Sequence, residues 1–269
     1  MPTAASINIT DNGHEISKKI YRELKQKLEN NGFTVNAQFN READLTICIG
    51  GDGALLRMLE ENNFPTKPPV VGINTGHLGF FQELDVKDVD EFIFKYKSDQ
   101  FVQQIYRTVY ADISTEKETI RLKALNEIVF RGAESHMARL NIFIGESFIE
   151  KFVGDGISIS TPAGSTAYNY ALGGPIVDPR LDLLLVTPIA PLNTTAYRSF
   201  TSSIVLPPDL AFAAFPEYPL SRKLLITADG KQLNMEGIRK IRAGFNDEPI
   251  TLLRFKDYDF WRTVKGKLL

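Results

Sequence analysis

The chain has 269 residues, with 31 Lys and Arg set against 33 Asp and Glu for a formal net charge of -2 at pH 7. So even a balance, with no long block of one sign, excludes a bulk attraction to nucleic acid or to an anionic membrane and leaves a small ligand as the expected partner. A hydrophobic fraction of 43% is ample for one large core or two modest ones, and a single cysteine excludes an internal disulfide framework.

Met1 to Ser6 show neither a basic region nor a long apolar stretch, and no segment reaches the ~18 apolar residues of a membrane span. The expected compartment is therefore the reducing cytoplasm. From His14 to Asn30 the apolar positions Ile16, Ile20, Leu24 and Leu28 recur every fourth residue, which predicts an amphipathic helix closed by Asn31-Gly32. A short strand around Phe33 to Asn36, a strand over Leu45 to Ile49, a helix to about Asn62 and a buried strand over Pro69 to Asn74 follow. Cys48 lies inside one of these apolar runs and reads as a buried small hydrophobe. Strands alternating with helices imply parallel pairing, so residues 1–102 are expected to form an open α/β domain. Ligands bind such sheets beyond the carboxyl ends of the strands, where Gly50-Gly51-Asp52-Gly53 and Asn74-Thr75-Gly76-His77-Leu78-Gly79 are expected to share a crevice.

Gly50, Gly51 and Gly53 between a strand and a helix bring bare backbone N–H groups and a helix N-terminus to one point, a cradle for phosphate. Asp52 is the anomaly there. A carboxylate beside phosphates is repelled unless a cation intervenes or it takes a proton from an attacking hydroxyl, which points to phosphoryl transfer. The alternative is a helix cap. His77 in the second loop either contacts phosphate or packs within the loop.

Beyond Phe101 the pattern changes to short β-prone runs at Val109 to Ser114, Arg121 to Phe130, Leu140 to Ile144, Phe148 to Phe152, Gly156 to Ser160, Ser203 to Leu206 and Leu224 to Ala228. Residues 103–269 are expected to form a mostly antiparallel β domain whose tail, from about residue 250, returns to the first domain. Within it only Thr166 to Leu172 reads as helical, with Ser165-Thr166 suited to capping. The loop Thr161-Pro162-Ala163-Gly164-Ser165-Thr166-Ala167-Tyr168 either binds a polar ligand or is a capped turn. Glu127, if it points inward, needs hydrogen bonds such as ribose hydroxyls supply; otherwise it is an exposed strand residue. Asp155, between Gly154 and Gly156, is equally a turn between strands. There is no Gly-x-Gly-x-x-Gly fingerprint, no P-loop, no His-Glu-x-x-His and no nucleophile elbow, and one cysteine with scattered His14, His77 and His136 makes no zinc cage.

In their order and spacing, Gly50-Gly51-Asp52-Gly53, Gly76-His77-Leu78-Gly79-Phe80, Asn126-Glu127, Gly154-Asp155-Gly156 and Thr161 to Tyr168 resemble the bacterial NAD kinase family. The resemblance runs from about residue 45 to Phe260-Trp261-Arg262. It implies an α/β plus β protein, with an N-terminal Rossmann-like domain of the diacylglycerol kinase and phosphofructokinase kind and a C-terminal antiparallel β-sandwich. It implies phosphorylation of the adenosine ribose 2′-hydroxyl of NAD, with ATP or polyphosphate as donor, magnesium as the divalent metal, and a homotetramer. Asp52 would be the general base, and Gly50, Gly51, Gly53 and His77 would hold the donor phosphates. NAD would meet Gly53, Phe80, Phe81, Asn126, Glu127, Asp155, Ala163, Thr166, Ala167 and Tyr168, with Asp155 on the nicotinamide side. Two positions depart from the family pattern: Ala54 stands where threonine is usual and Val153 where arginine is frequent. Two other functions stay open on the residues alone, a non-catalytic NAD or NADP sensor and a lipid or sugar-phosphate kinase sharing the first loop.

Overall fold

The computed structural model describes residues 5–76, 79–134, 136–195, 197–218, 223–255 and 258–269, so His77 lies outside the described residues. The chain divides into two compact units, one made of residues through Tyr106 together with Pro249–Leu269, the other of Arg107–Glu248.

The first unit holds β1 (Ser6–Asp11), α1 (Glu15–Asn30), β2 (Thr34–Val35), β3 (Leu45–Ile49), α2 (Asp52–Glu61), β4 (Val70–Asn74), β5 (Leu84–Asp85), α3 (Val89–Lys97) and β6 (Phe101–Tyr106). The second holds β7 (Val109–Ser114), β8 (Thr119–Ala124), β9 (Glu127–Gly132), β10 (Ala138–Ile144), β11 (Ser147–Gly154), β12 (Gly156–Ser160), α4 (Tyr168–Ala171), β13 (Leu184–Ile189), β14 (Ile204–Leu206), β15 (Phe212–Pro216), β16 (Leu224–Ala228), β17 (Lys231–Met235) and β18 (Lys240–Phe245). The chain then re-enters the first unit as β19 (Ile250–Phe255) and α5 (Phe260–Lys267).

In the first unit the sheet order is β2-β1-β3-β4-β19-β6, with β5 also on β4. All pairs are parallel except β19 with β6, so the carboxyl ends of β3 and β4 point the same way and their following loops meet. Helix α1 packs on this sheet through Ser17, Ile20, Leu24 and Leu28, while Ile16 is 67% exposed. A strict spacing of four drifts around a helix of 3.6 residues per turn, so the buried stripe takes Ser17 in place of Ile16.

The second unit is a β-sandwich of two antiparallel sheets, ordered β11-β10-β15-β18-β7-β8 and β14-β13-β12-β9-β16-β17. Ile113, Leu140, Phe152 and Phe212 from one sheet share a core with Ile128, Phe130, Ile157 and Ile226 from the other. Three sequence expectations change here. Arg121 to Phe130 is two strands, because Leu125-Asn126 carries the chain from one sheet to the other. Gly154-Asp155-Gly156 is likewise a crossing between sheets and not a hairpin turn, since β11 and β12 are not partners. The segment read as a helix from Thr166 is a 3-10 turn at Ala163–Thr166 followed by the single turn of α4, with no side-chain cap. Strands β13, β15 and β18 were not legible as runs: Pro188, the alanines of β15 and Ala243-Gly244 weaken their β signal. Pro188 is tolerated because β14 ends opposite Val186, so nothing on that side asks for the amide proline lacks.

Candidate functional site

Helix α2 begins at Asp52 with Gly51 as its N-cap, and no side chain caps it. The Asp52 carboxylate turns instead to the loop after β4: Oδ2 accepts the Phe80 N–H at 2.7 Å and Oδ1 the Phe81 N–H at 3.1 Å. The cap alternative is thereby removed, and the two glycine loops of this unit are tied together through one carboxylate. Gly79 makes this approach possible, since a Cβ there would occupy the space of the Asp52 carboxylate. Asn74 sets the start of the same loop, donating to the Gly76 carbonyl at 2.7 Å and accepting the Gly76 N–H at 3.1 Å.

Arg254 on β19 holds the other side of the Phe80-Phe81 backbone. Its guanidinium is 1% exposed and donates to the carbonyls of Phe80 (2.9 Å) and Phe81 (3.2 Å), to Glu83 Oε2 (3.0 Å), to Gln104 Oε1 (3.0 Å) and to the Tyr106 hydroxyl (3.1 Å). All five guanidinium N–H groups are thus used, the condition under which a buried charge is tolerable. The Tyr258 ring lies 4.0 Å from the guanidinium carbon. Phe81 is buried and meets Tyr106 edge-on at 6.0 Å, whereas the Phe80 ring is partly exposed and lies 6.2 Å from Phe260. Sequence reading passed over Arg254 and Glu83. The available signal was a lone arginine within the apolar run Ile250 to Phe255.

Cys48 behaves as its apolar run implies: it is buried, and burial pushes its thiol up to about 11.

In the second unit, Asn126 and Glu127 stand at the start of β9, with Glu127 opposite Ser160 at the end of β12. The carboxylate of Asp229 organises this point, accepting the N–H groups of Leu125 (2.6 Å), Asn126 (2.8 Å) and Glu127 (3.2 Å). Asp229-Gly230 forms the hairpin turn between β16 and β17, a local role that gives no sign of this second task. The Thr161 to Tyr168 loop is pinned to the same corner: Thr161 donates through its hydroxyl to the Leu125 carbonyl at 2.5 Å and through its N–H to the Asn126 carbonyl at 2.9 Å. A Cβ on Gly164 would collide with the Asn126 carbonyl. Ser165 is spent on the Val177 backbone, donating at 3.2 Å and accepting at 3.0 Å, and Asn169 bridges Ser165, Pro175 and Thr187. Thr161, Ser165 and Asn169 are buried scaffold, with Ala163 buried beside them. Thr166, Ala167 and Tyr168 remain partly exposed.

Glu127 is only 9% exposed, and among the described residues its Oε2 and the Asn126 Oδ1 have no hydrogen-bond partner. Burial, with the nearby Asp229 charge adding to it, pushes the Glu127 carboxyl up to about 8 despite an N–H from Tyr168. At neutral pH this acid holds its proton, so it can donate as well as accept. Two orphaned polar atoms on consecutive residues are what a hydroxyl-bearing ligand would complete.

Asp155 is exposed just before the opposite end of β12, about 16 Å from Ser160 at the strand rise per residue, so within this unit it does not join the Glu127 corner. It lines a separate open groove of about 870 Å³ with Arg131, His136, Lys223 and Glu236. Among the described residues no group of three His, Cys, Asp or Glu side chains is placed to hold a metal ion. No described helix is long and apolar enough to cross a membrane.

Residues 7–101 match the family described as ATP-NAD kinase N-terminal domain and residues 125–233 the family described as ATP-NAD kinase C-terminal domain. The NAD kinase of Finegoldia magna is 36% identical over 98% of this chain and 97% of its own length. That of Clostridium beijerinckii is 32% identical over 96% and 92%. Among solved structures, yeast NADH kinase complexed with NADH aligns with a TM-score of 0.84 at 20% identity, covering 100% of this chain and 88% of its own. The NAD kinase of Archaeoglobus fulgidus in complex with ATP aligns with a TM-score of 0.74 at 24% identity, covering 97% and 98%. At these identities the two structures establish a shared fold.

Proposed function

Because this chain belongs to the NAD kinase family and phosphorylates NAD, we propose that it moves the terminal phosphate of ATP onto the adenosine ribose 2′-hydroxyl, with Asp52 as general base. The observation that carries this is the setting of Asp52: its carboxylate stands at the glycine loop, is not consumed in capping α2, and is aimed by the Phe80 and Phe81 N–H groups. A ribose hydroxyl is a weak nucleophile at neutral pH and needs a positioned base. Each carboxylate oxygen has more than one lone-pair direction, so one amide on each still leaves room for a hydroxyl proton. In the step, the 2′-oxygen bonds to the γ-phosphorus, the bond from that phosphorus to the bridging β–γ oxygen breaks, ADP leaves with the electron pair, and the hydroxyl proton passes to Asp52.

The amides of Gly51 and Gly53 face the donor phosphates, whereas the Gly50 N–H, expected in the same cradle, is spent on the Ile73 carbonyl at 2.9 Å. Asn126, Glu127, Thr166, Ala167 and Tyr168 receive the adenosine, with Glu127 and Asn126 supplying the two unsatisfied atoms, and Ala163 forms the buried floor of that loop. Asp155 meets the nicotinamide riboside, and Phe80, the more accessible of the two loop phenylalanines, packs against the dinucleotide beside Phe81. Magnesium fits as an ion carried chiefly by phosphate: the described residues form no cage of three or more His, Cys, Asp or Glu side chains, Asp52 is the carboxylate of the glycine loop, and magnesium is commonly held by one or two carboxylates with phosphates and water. When bound, it neutralises donor charge. The working state is a cytoplasmic homotetramer.

The test is a matrix of donors (ATP, polyphosphate) against acceptors (NAD, NADH, a lipid and a sugar phosphate), with magnesium omitted and restored, read as NADP formed. NADP formation from ATP that needs the metal and is lost in Asp52→Asn supports the reading. Full turnover in Asp52→Asn removes Asp52 as base, and NAD binding without transfer from any donor would favour a sensor.

A further inference from the structure

The glycine loop at 50–53 contains neither lysine nor arginine, yet a nucleoside triphosphate brings a dense negative charge to it. The structure places a cation nearby from the far end of the chain. Helix α5 is started by Asp259, whose Oδ1 accepts the N–H groups of Trp261 (2.9 Å) and Arg262 (3.1 Å). Its inner stripe is Phe260, Val264 and Lys267, at the i, i+4, i+7 spacing of one helical face. Phe260 and Val264 are buried, Arg262 and Lys265 are exposed, and Lys267, partly buried, continues the inner stripe. A lysine serving only solubility would stand on the outer face.

Lys267 Nζ lies over the Phe80 ring, 5.0 Å from its centroid, beside the residue whose N–H holds Asp52. Among the described residues it makes no ion pair, although it is close enough for the Asp52 charge to act on it. Burial holds the ammonium below the ordinary lysine range, and Asp52 offsets this only in part. The Phe80 ring and the Asp52 charge compensate this partly desolvated cation, which has no direct counter-ion among the described residues. Lys267 and Asp52 thus act on one another's charge without forming a direct ion pair.

We infer that Lys267 is a donor-binding residue, its ammonium engaging the terminal phosphate of ATP on the side away from the glycine amides. The inference rests on the reading of Asp52 and its loop as the transfer site. A compact ammonium on a flexible stem suits a phosphate whose charge redistributes during transfer.

Lys267→Met keeps the apolar stem over Phe80 and removes the charge. Binding of the non-hydrolysable analogue AMP-PNP with magnesium, measured by calorimetry, is expected to weaken about tenfold, with a matching rise in KM for ATP and an unchanged KM for NAD. Lys267→Arg is expected to recover part of the loss. Unchanged AMP-PNP affinity and unchanged KM for ATP in Lys267→Met would overturn the inference. Lys267→Gln decides the same question if the methionine variant melts early. Asp52→Asn is assayed alongside: full turnover there with weakened AMP-PNP binding in Lys267→Met removes the base and keeps the lysine, whereas a dead Asp52→Asn with normal AMP-PNP binding in Lys267→Met removes the lysine and keeps the base.

Discussion

Asp52 and Glu127 are both acids at the heart of a proposed substrate site, yet the protein treats them in opposite ways. Asp52 sits in the α/β unit with an N–H on each oxygen and a buried arginine bracing the backbone that supplies them. Glu127 sits in the β-sandwich, buried, near another carboxylate, with one oxygen lacking any partner among the described residues. The first environment stabilises a carboxylate in one orientation before substrate arrives. The second keeps an acid protonated and incomplete, so that hydroxyls of a ligand finish its hydrogen bonding. A base must be preorganised, whereas a recognition group gains by being unsatisfied until its ligand binds.

The sharpest way to break the contrast is Asp52→Asn. If Asp52 takes the proton, kcat is expected to fall about a thousandfold with NAD still bound, as measured by single-turnover assay and calorimetry. The amide also sets an NH2 against one of the two loop N–H groups, so a modest drop in melting temperature should accompany the loss.

Arg254→Met tests whether the arginine is what holds Asp52 in place. It takes the arginine away from the Glu83 carboxylate, which keeps the Phe255 N–H at 2.8 Å, and releases both phenylalanine carbonyls, and is expected to cost about 3 kcal/mol in chemical denaturation and to lower kcat in the protein that remains folded. A stable variant with normal kcat would show that Asp52 is aimed without it.

Gly164→Ala presses on the other acid. The added methyl meets the Asn126 carbonyl, so the Asn126-Glu127 corner must move, and KM for NAD is expected to rise about tenfold while KM for ATP holds. Equal changes in both constants would mean that the two substrates are not divided between the two regions as proposed.

Glu127→Gln gives the smallest and most specific effect. In the folded protein this carboxyl titrates at about 8, against 4.5 as the ordinary value. Between those two pH values the folded state keeps a proton that the unfolded chain has released, so this group makes stability fall as pH rises, on the order of 1 kcal/mol per pH unit. Below the lower value both states are protonated and the slope vanishes. Denaturation curves across pH 5 to 9 should therefore show Glu127→Gln gaining on the parent as pH increases. Parallel curves would mean that the acid is not held protonated.

The glycine loop, its flanking strand and helix, and the parallel α/β character of the first unit were legible because each is carried by local pattern: an apolar β-branched run, a glycine cluster, an amphipathic repeat. The β-rich character of the second unit was legible for the same reason. Its division into two sheets was not, because Leu125-Asn126 and Asp155 look like strand interior and hairpin turn until pairing partners are known. Among candidate residues, Asp52 and Glu127 stood out as acids in apolar or glycine-rich settings. Asp229 and Arg254 did not, since their tasks are defined by backbone groups more than a hundred residues away. Thr161 and Ser165, polar residues in a ligand-like motif, proved to be scaffold, and hydroxyls in a loop carry no mark of which backbone they will bind.

By itself the sequence determined the chemistry on offer: a phosphate-binding loop with an acid in it, and a hydroxyl-rich motif with the spacing of a known family. The tertiary structure decided what each polar group is left free to do. It turned Asp52 from a helix cap into a carboxylate aimed by two amides, left Glu127 short of a partner, and brought Arg254 and Lys267 from the end of the chain to the first glycine loops. Hydrogen-bond satisfaction and burial are properties of the packed chain, and no local pattern reports which donor, far along the chain or close at hand, will reach a given oxygen.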